Sequence, residues 1–289
     1  MFKNLSVATS LTLLAACGGS SGTATYDGPT IIPFAAAGFA TDDSRVAGNQ
    51  TYDAQNQQRI ISDDGGVLSL DRQDVEFAIA SDELTIDVTI EGVTYTLDYT
   101  SDGMYRSSDD DARIEVQIIQ DYEVAAAVAV FSVIDGQLNS SNIIIGHDTN
   151  PDTVVNLTGS AELNGDIYLE ARNGFLDGYA SGAATLKVDF DASSIEGEFD
   201  LTDLNSPAAE ITIPTSSYRL EETPINGNGF SGDITLVSGD IEGTLTDATY
   251  DGRFFGSDAD TVGGQVSASV VSDDFDNPIY LTGAFIATE

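Results

Sequence analysis

The chain has 289 residues, with 48 Asp and Glu against 10 Lys and Arg, so its formal net charge is −38 at pH 7. This charge excludes binding of nucleic acid through its phosphates, because phosphate contacts require a basic protein surface. Hydrophobic residues still make up 41% of the sequence, so we expect a folded protein with a solvated acidic coat rather than a disordered chain.

The N-terminus predicts a lipoprotein signal peptide over residues 1–16. Residues 1–4 carry one Lys, and residues 5–16 are mostly apolar, uncharged and too few to span a bilayer, which needs about 20 residues. Small residues then precede Cys17, the only cysteine, whose thiol we expect to carry the lipid anchor. Because Gly18 rather than Asp follows it, the outer membrane is the favoured destination. Residues 17–40, rich in Gly, Ser, Thr and Ala, predict a flexible tether.

The first half of the remaining chain shows the two-residue period of β-strands. The hydrophobic pattern predicts a hairpin in which Glu91 and Gly92 form the turn. One segment, residues 122–134, fits either a helix, through its Ala-rich centre, or a strand, through its Val residues. We favour a strand because Gly136 ends the run within a strand's length. The other segments of this region predict strands at residues 84–90, 93–99, 114–118 and 142–146.

The second half predicts a closed barrel. Ala184, Leu186 and Val188 alternate with Lys187 and Asp189, giving one apolar and one polar face. Eight such segments fit an antiparallel barrel, which leaves no exposed sheet edge. Charged and Thr side chains on the outward face favour a soluble barrel over a membrane barrel, whose outer face is apolar. The eight segments are residues 157–169, 184–190, 195–201, 209–213, 230–237, 241–250, 262–271 and 279–287.

The fold class that follows is all-β, with a β-rich domain over residues 41–145 followed by an eight-stranded antiparallel soluble β-barrel over residues 146–289. The break between them is expected near residues 146–153, which have the composition of a loop. His147 lies in this loop, and we expect it to be an ordinary exposed residue.

The catalytic inventory is poor. His147 is the only histidine, and the single cysteine is assigned to the lipid, so no zinc pattern is possible. A Gly-x-Ser-x-Gly match at residues 18–22 lies in the tether, without the strand and helix that a nucleophile elbow needs. The Asp-rich runs lack the spacing of a calcium loop. We predict no catalytic residue, no cofactor, no metal site and no enzymatic activity, although the many carboxylates leave a glycosidase-type pair open.

The C-terminal part carries a recognisable motif. Residues 252–264 read Gly-Arg-Phe-Phe-Gly-Ser-Asp-Ala-Asp-Thr-Val-Gly-Gly, and residues 283–287 read Gly-Ala-Phe-Ile-Ala. This pattern resembles the strand–turn–strand signature and the last strand of the transferrin-binding protein B barrel family, over roughly residues 145–289. The sequence departs from that pattern at Thr261, where the family often has Glu, and at Ile286, where it often has Gly. The residues that carry the signature are Gly252, Phe254, Phe255, Gly256, Ala259, Gly263, Gly264, Gly283 and Phe285.

This resemblance implies structural roles for these residues. Phe254 and Phe285 are expected to fill the barrel interior, and Phe255 to face outwards or cover one end. The family's receptors contain two lobes, each a handle domain followed by a barrel, and this chain has room for one lobe. The resemblance therefore implies that residues 41–145 form a handle-like domain.

Two functions remain open. The resemblance implies a lipid-anchored, surface-exposed outer-membrane protein that captures a protein, metal-carrying or small-molecule ligand for nutrient uptake, such as iron, alongside an outer-membrane transporter. The alternative is a structural acidic coat lipoprotein without a specific ligand. An exposed patch of Tyr and Phe on the handle-like domain would favour capture, whereas a uniformly acidic surface would favour the coat.

The lipid anchor gives a direct test. We expect Cys17→Ser to abolish incorporation of labelled palmitate and to move the protein out of the membrane fraction, because the other residues of the tether offer no thiol. Ser20→Ala, three residues away in the same tether, should leave both readouts unchanged. Label retained by Cys17→Ser would place the lipid on another residue.

Overall fold

The computed structural model describes residues 50–63, 66–79, 85–100, 103–107, 112–121, 124–134, 136–173, 176–203, 215–239, 243–271 and 278–289. These residues form two closed antiparallel barrels of eight strands each. The predicted fold class is therefore confirmed, and the β-rich region that precedes the predicted barrel is itself a closed barrel. Within the described part of the chain, no helix is long and apolar enough to cross a membrane.

In the first barrel each strand pairs with its neighbour in sequence, and β1 closes the ring by pairing with β8 over residues 60–62 and 138–140. The predicted hairpin is present as β3 and β4, and its turn residues Glu91 and Gly92 both have positive φ (52° and 79°), as a tight two-residue hairpin turn requires. The strands are β1 (Gln50–Asp63), β2 (Gly66–Ile79), β3 (Thr85–Ile90), β4 (Val93–Tyr99), β5 (Tyr105–Ser107), β6 (Ala112–Asp121), β7 (Ala125–Ile134) and β8 (Gln137–Gly146).

The second barrel begins after a short helix, α1 (Pro151–Asn156), in the segment predicted as a loop. Pro151 occupies its first turn, and the Asn150 side chain accepts a hydrogen bond from the Asp152 backbone N–H at 2.9 Å, which together start the helix. Val154 then packs into the barrel core. The strands are β9 (Ser160–Asn173), β10 (Leu176–Asp189), β11 (Ser194–Asp203), β12 (Ser216–Asn226), β13 (Gly229–Ser238), β14 (Thr244–Phe255), β15 (Thr261–Val271) and β16 (Ile279–Thr288).

The strand predictions for this barrel hold with one exception. The predicted strand at residues 209–213 lies outside the described residues, and β12 was not predicted. Two features of β12 hide the strand in the sequence: Pro224, which is unusual within a sheet, and a register shift against β13 between Leu220 and Ile225. At this irregularity the Tyr250 hydroxyl donates a hydrogen bond to the Glu221 carbonyl oxygen at 2.6 Å.

The segment that fitted either a helix or a strand is strand β7, as favoured. Its burial explains the ambiguity. Residues 125–130 are buried without interruption, so the run lacks the alternation of a half-exposed strand. Ala126 and Val128 point into the first barrel, whereas Ala125 and Ala127 pack against residues of the second. Strands β7 and β8 are thus covered on both faces, since their outer sides meet β15 and β16.

The barrel interior gives a stability prediction. A Cβ added at Gly264 would lie 2.6 Å from Phe285 Cζ and would also clash with the Asp251 carbonyl oxygen. We expect Gly264→Ala to lower the free energy of unfolding by about 1–3 kcal/mol, as overpacking of a rigid core does. Urea denaturation measures the change. Gly229→Ala is the matched control, because its nearest atom would be 3.5 Å away, and equal losses in both variants would contradict the steric explanation.

Candidate functional site

The inside of the second barrel is built from aromatic rings that lie over glycines. A Cβ at Gly252 would come within 2.6 Å of Phe230 Cζ, and Gly264 makes the same room for Phe285. Phe254 and Phe285 are both fully buried in this core. Each ring needs the space that a side chain on the facing strand would occupy, so these signature glycines are explained by packing.

The outside of the same strands meets the first barrel. A Cβ at Gly263 would lie 2.9 Å from Ile144 Cγ2 and 3.1 Å from the Phe255 ring. Phe255 itself is 2% exposed and packs between the barrels. The two adjacent glycines of the signature therefore have different roles, because successive residues of a strand point to opposite faces. Gly264 admits an aromatic ring inside the barrel, and Gly263 admits the neighbouring barrel outside.

The turn between β14 and β15 ties the connection between the barrels in place. Gly256 has φ +84° and donates its backbone N–H to the His147 carbonyl oxygen at 2.9 Å. The Thr149 hydroxyl donates to the Gly256 carbonyl oxygen at 2.7 Å, and Thr149 is buried. Arg253 pairs with Asp148 at 2.9 Å. The side chain of His147 is exposed, and its backbone N–H donates to the Val124 carbonyl oxygen, so this segment is held by both barrels.

A buried polar group, here called the interface cluster, lies farther along the contact between the barrels. It consists of Ser140, Asn142, Glu170, Arg172, Gln265 and Thr282. Arg172 Nε donates to Glu170 Oε1 at 2.5 Å, and the Ser140 hydroxyl donates to Glu170 Oε2, also at 2.5 Å. The side chain of Glu170 is 1% exposed and that of Arg172 is 10% exposed. A carboxylate buried this deeply is stable only when a cation and hydrogen-bond donors surround it, as they do here.

Asn142 occupies the centre of the cluster. Its backbone carbonyl oxygen accepts a hydrogen bond from the Gln265 side chain, and its Nδ2 lies 3.4 Å from the Thr282 carbonyl oxygen. Asn142 Oδ1 is buried without a hydrogen-bond partner among the described residues. The cluster thus joins β8 of the first barrel to β9, β15 and β16 of the second.

An apolar cavity opens in the second barrel, at the end opposite the turn that contains Gly256. It has about 350 Å³ of empty space, counting the part of its mouth that is open to solvent. Ser267 and Tyr218 are the only residues in its lining that carry a polar side-chain group. Burial raises the pKa of the Tyr218 hydroxyl above its usual value, so that group stays neutral. The lining residues are Ile167, Leu169, Phe199, Leu201, Tyr218, Ile234, Leu245, Ala248, Val266, Ser267, Ala268 and Leu281.

Residues 134–289 match the family described as the C-lobe and N-lobe beta barrels of Tf-binding protein B. The chain belongs to this family. The match covers more than half of the sequence and includes β8, one of the strands of the first barrel that contact the second.

Similar solved structures include transferrin-binding proteins B (TbpB). The protein from serogroup B Neisseria meningitidis is 14% identical, over 83% of this chain and 76% of that chain, with a TM-score of 0.35. A TbpB variant from Actinobacillus pleuropneumoniae is also 14% identical, over 82% and 98%, with a TM-score of 0.37. A structure described as a surface lipoprotein is 15% identical over the same shares, with a TM-score of 0.37. A search of curated proteins finds no match.

The structure divides the family signature between two environments. Phe254, Ala259 and Phe285 lie in the interior of the second barrel, and Phe255 faces outwards against the first barrel. Gly283 also faces inwards, where an added Cβ would lie 2.9 Å from Leu169 Cδ1. These positions describe packing and assign no ligand contact. Cys17, the predicted lipidation site, lies outside the described residues.

Sequence reasoning missed the interface cluster and the cavity. Ser140 and Glu170 are 30 residues apart, and no periodicity brings them together. Among the described residues, no group of three or more His, Cys, Asp or Glu side chains is placed to hold a metal ion. The large hydrophobic side chains that are exposed in the described part of the chain are Val or Leu, so no patch of exposed Tyr and Phe is found there.

The interface cluster yields a double-mutant prediction. Arg172→Met leaves the Glu170 carboxylate buried without its cation, and we expect a loss of about 3–5 kcal/mol in the free energy of unfolding. The double variant Glu170→Met/Arg172→Met should recover most of that loss, because the buried charge is removed. Urea denaturation measures both variants.

The control for this cycle is Arg253→Met, which breaks the half-exposed pair with Asp148 and should cost less than about 1 kcal/mol. A double variant as unstable as Arg172→Met would show that packing of the arginine stem, rather than its charge, determines the loss.

Proposed function

We propose that this protein is a lipid-anchored binding protein of the cell surface that captures a protein, metal-carrying or small-molecule ligand, in support of nutrient uptake such as that of iron. The observation that supports it is the match of residues 134–289 to the barrels of a protein named for its binding to Tf, that is, transferrin. The proposal makes the chain a binding protein and not an enzyme.

The proposed organisation is a signal peptide over residues 1–16, a tether over residues 17–40, a handle-like domain over residues 41–145 and a barrel over residues 146–289. The lipid on Cys17 would hold the protein at the outer membrane with its barrels exposed at the cell surface. An outer-membrane transporter is the proposed second partner, because a captured nutrient must still cross the membrane.

The acidic coat function has one observation in its favour. Among the described residues, the outer face of strands β9 to β11 exposes six carboxylates: Glu162, Asp166, Asp189, Glu196, Glu198 and Asp200. This face is not uniformly acidic, however. Lys187 lies between Glu162 and Glu196 in neighbouring strands, and Arg219 lies opposite Glu198. Cross-strand pairs of opposite charge are a feature of sheet stabilisation, so part of this acidity is already balanced within the fold.

Capture is tested by immobilising the full chain carrying Cys17→Ser and exposing it to host fluid and to spent growth medium. We expect a defined partner to be retained at about 150 mM salt, where charges farther apart than about 8 Å are largely screened. Mass spectrometry identifies what is retained. A column carrying an unrelated protein of similar net charge is the control.

Two results would argue against capture. The first is that only basic proteins are retained and that salt releases them from both columns. Non-specific charge attraction would then explain all of the binding and support the coat function. Turnover of a substrate that is lost when one carboxylate is neutralised would instead identify an enzyme.

A further inference from the structure

One stretch of the second barrel's wall lacks its hydrogen-bond ladder. Strand β13 pairs with β14 from Gly229 opposite Arg253 to Asp233 opposite Thr249, and the pairing ends there. The remaining stretches, residues 234–238 of β13 and residues 244–248 of β14, face each other without pairing. Each stays in the sheet on its other side, β13 with β12 and β14 with β15. We call this opening the wall split.

A bulge in β14 explains why the ladder stops. Asp247 has φ +51°, and the register of β14 against β15 shifts by one residue between Thr246 and Thr249. In a regular strand Leu245 and Tyr250, five residues apart, would point to opposite faces. The extra residue at the bulge reverses the alternation, so both side chains point into the barrel. If the ladder continued from Asp233 opposite Thr249, Leu245 would face Val237.

The two strands cannot pair in that register, because β13 points a different residue inwards at this level. Leu236, not Val237, lies opposite the buried Tyr218 on β12. An inward Leu245 would therefore be matched with the wrong side chain. The mismatch ends the ladder and leaves the backbone N–H and C=O groups of both strand edges facing the wall split.

The wall split leads into the apolar cavity. Ile234 on one side and Leu245 and Ala248 on the other belong to the cavity lining. The rim is apolar as well, since Leu236 is 37% exposed and Val237 is 50% exposed. An inward-facing Leu is this exposed because β14 does not cover it. The opening therefore combines two unpaired strand edges with an accessible apolar interior.

Charge at the rim restricts the ligand further. Asp233 and Asp247 are both exposed, one where the split begins and one at the bulge. Neither forms an ion pair with a described residue. They are therefore available to a cationic side chain brought by a partner.

We propose that the wall split binds an extended peptide segment of a partner protein. The segment adds main-chain hydrogen bonds to the open strand edges, inserts an apolar side chain into the cavity and places Lys or Arg beside Asp233 and Asp247. Strand edges favour a peptide over an acyl chain, because an acyl chain would fill the cavity but leave the backbone groups without partners. The inference rests on the proposed function in one respect, that the captured ligand is a protein.

The binding test uses the full chain carrying Cys17→Ser and a fluorescein-labelled peptide, Lys-Val-Thr-Leu-Thr-Val-Lys, followed by fluorescence anisotropy. The comparison peptide, Lys-Val-Pro-Leu-Pro-Val-Lys, keeps the charges and apolar side chains but loses two N–H donors. We expect the comparison peptide to bind at least about tenfold more weakly, a difference of about 1.4 kcal/mol.

Two protein variants test the location. Ala248→Phe fills the cavity and should lower the affinity for the first peptide by about tenfold or more. Ala183→Phe, on the exposed outer face of β10, should leave that affinity unchanged. Deleting Asp247 removes the bulge, so that Leu245 would lie opposite Leu236 and the ladder could continue. We expect that deletion to abolish peptide binding and to slow hydrogen exchange of the amides at residues 234–238.

Charge is tested separately. The double variant Asp233→Asn/Asp247→Asn should have a lower affinity for the first peptide at low salt. Asp191→Asn, at the opposite end of the barrel, should bind that peptide as tightly as the wild type does. The proposal is overturned if the Pro peptide binds as tightly as the first. It is also overturned if dansylundecanoic acid binds the wild type but not Ala248→Phe while neither peptide binds.

The outcomes separate this inference from the proposed function. If wild type and Ala248→Phe retain the same host partner equally well, capture stands and the wall split is not the site. If Ala248→Phe loses a partner that Ala183→Phe keeps, both are supported. Peptide binding without any retained host partner supports the site and argues against capture from host fluid.

Discussion

Strands β7 and β8 of the first barrel and β15 and β16 of the second are buried on both faces over most of their length, so each needs a cover outside its own barrel. Ala284 and Ile286 of β16, together with Phe255, face Ala125, Ala127 and Ile144 across the contact. The small side chains of β7 and the missing side chain at Gly263 let the two walls approach closely. Each barrel thereby supplies the outer cover that the other's strands need.

The polar residues of this contact define how the barrels are aligned. An apolar contact between two sheets tolerates sliding, because the hydrophobic effect has no preferred direction. Glu170 does not tolerate it, since sliding would take the Ser140 hydroxyl of the first barrel away from Glu170 Oε2 and leave that buried oxygen without its donor. The interface cluster therefore adds little net stability over an apolar contact but strongly disfavours other alignments. The backbone hydrogen bonds of His147 and Thr149 fix the same alignment at the other end.

The sequence predicted those parts of the fold in which one face of a strand is wet. The β3–β4 hairpin alternates cleanly and was predicted close to its observed bounds, whereas for β10 the alternation predicted only the second half of the strand, from residue 184. The alternation is weaker where another barrel covers the outer face of a strand. In β7 that cover leaves residues 125–130 buried without interruption, so the sequence shows no polar face there. The first barrel was expected only as a β-rich region, because its closure depends on three residue pairs between strands far apart in sequence. The bulge at Asp247 was not predicted either, because one added residue leaves the segment at residues 241–250 looking like a continuous strand.

The wall split runs against the stability of the fold. An in-register hairpin would gain backbone hydrogen bonds over about five residue pairs, each contributing roughly 0.5–1.5 kcal/mol. It would also free Asp247 from a left-handed conformation that Asp tolerates better than most residues but that still costs energy. The other end of the same barrel is well packed and paired. Val154 and Ala259 fill it, and β12 and β13 pair up to Asn226 and Gly229, which are joined by a two-residue turn. Local strain that the surrounding structure retains at one site is a reason to look for function there. The two ends of the barrel are thus unequal in energy as well as in shape, with the end near Gly256 filled by side chains and the end at the wall split open.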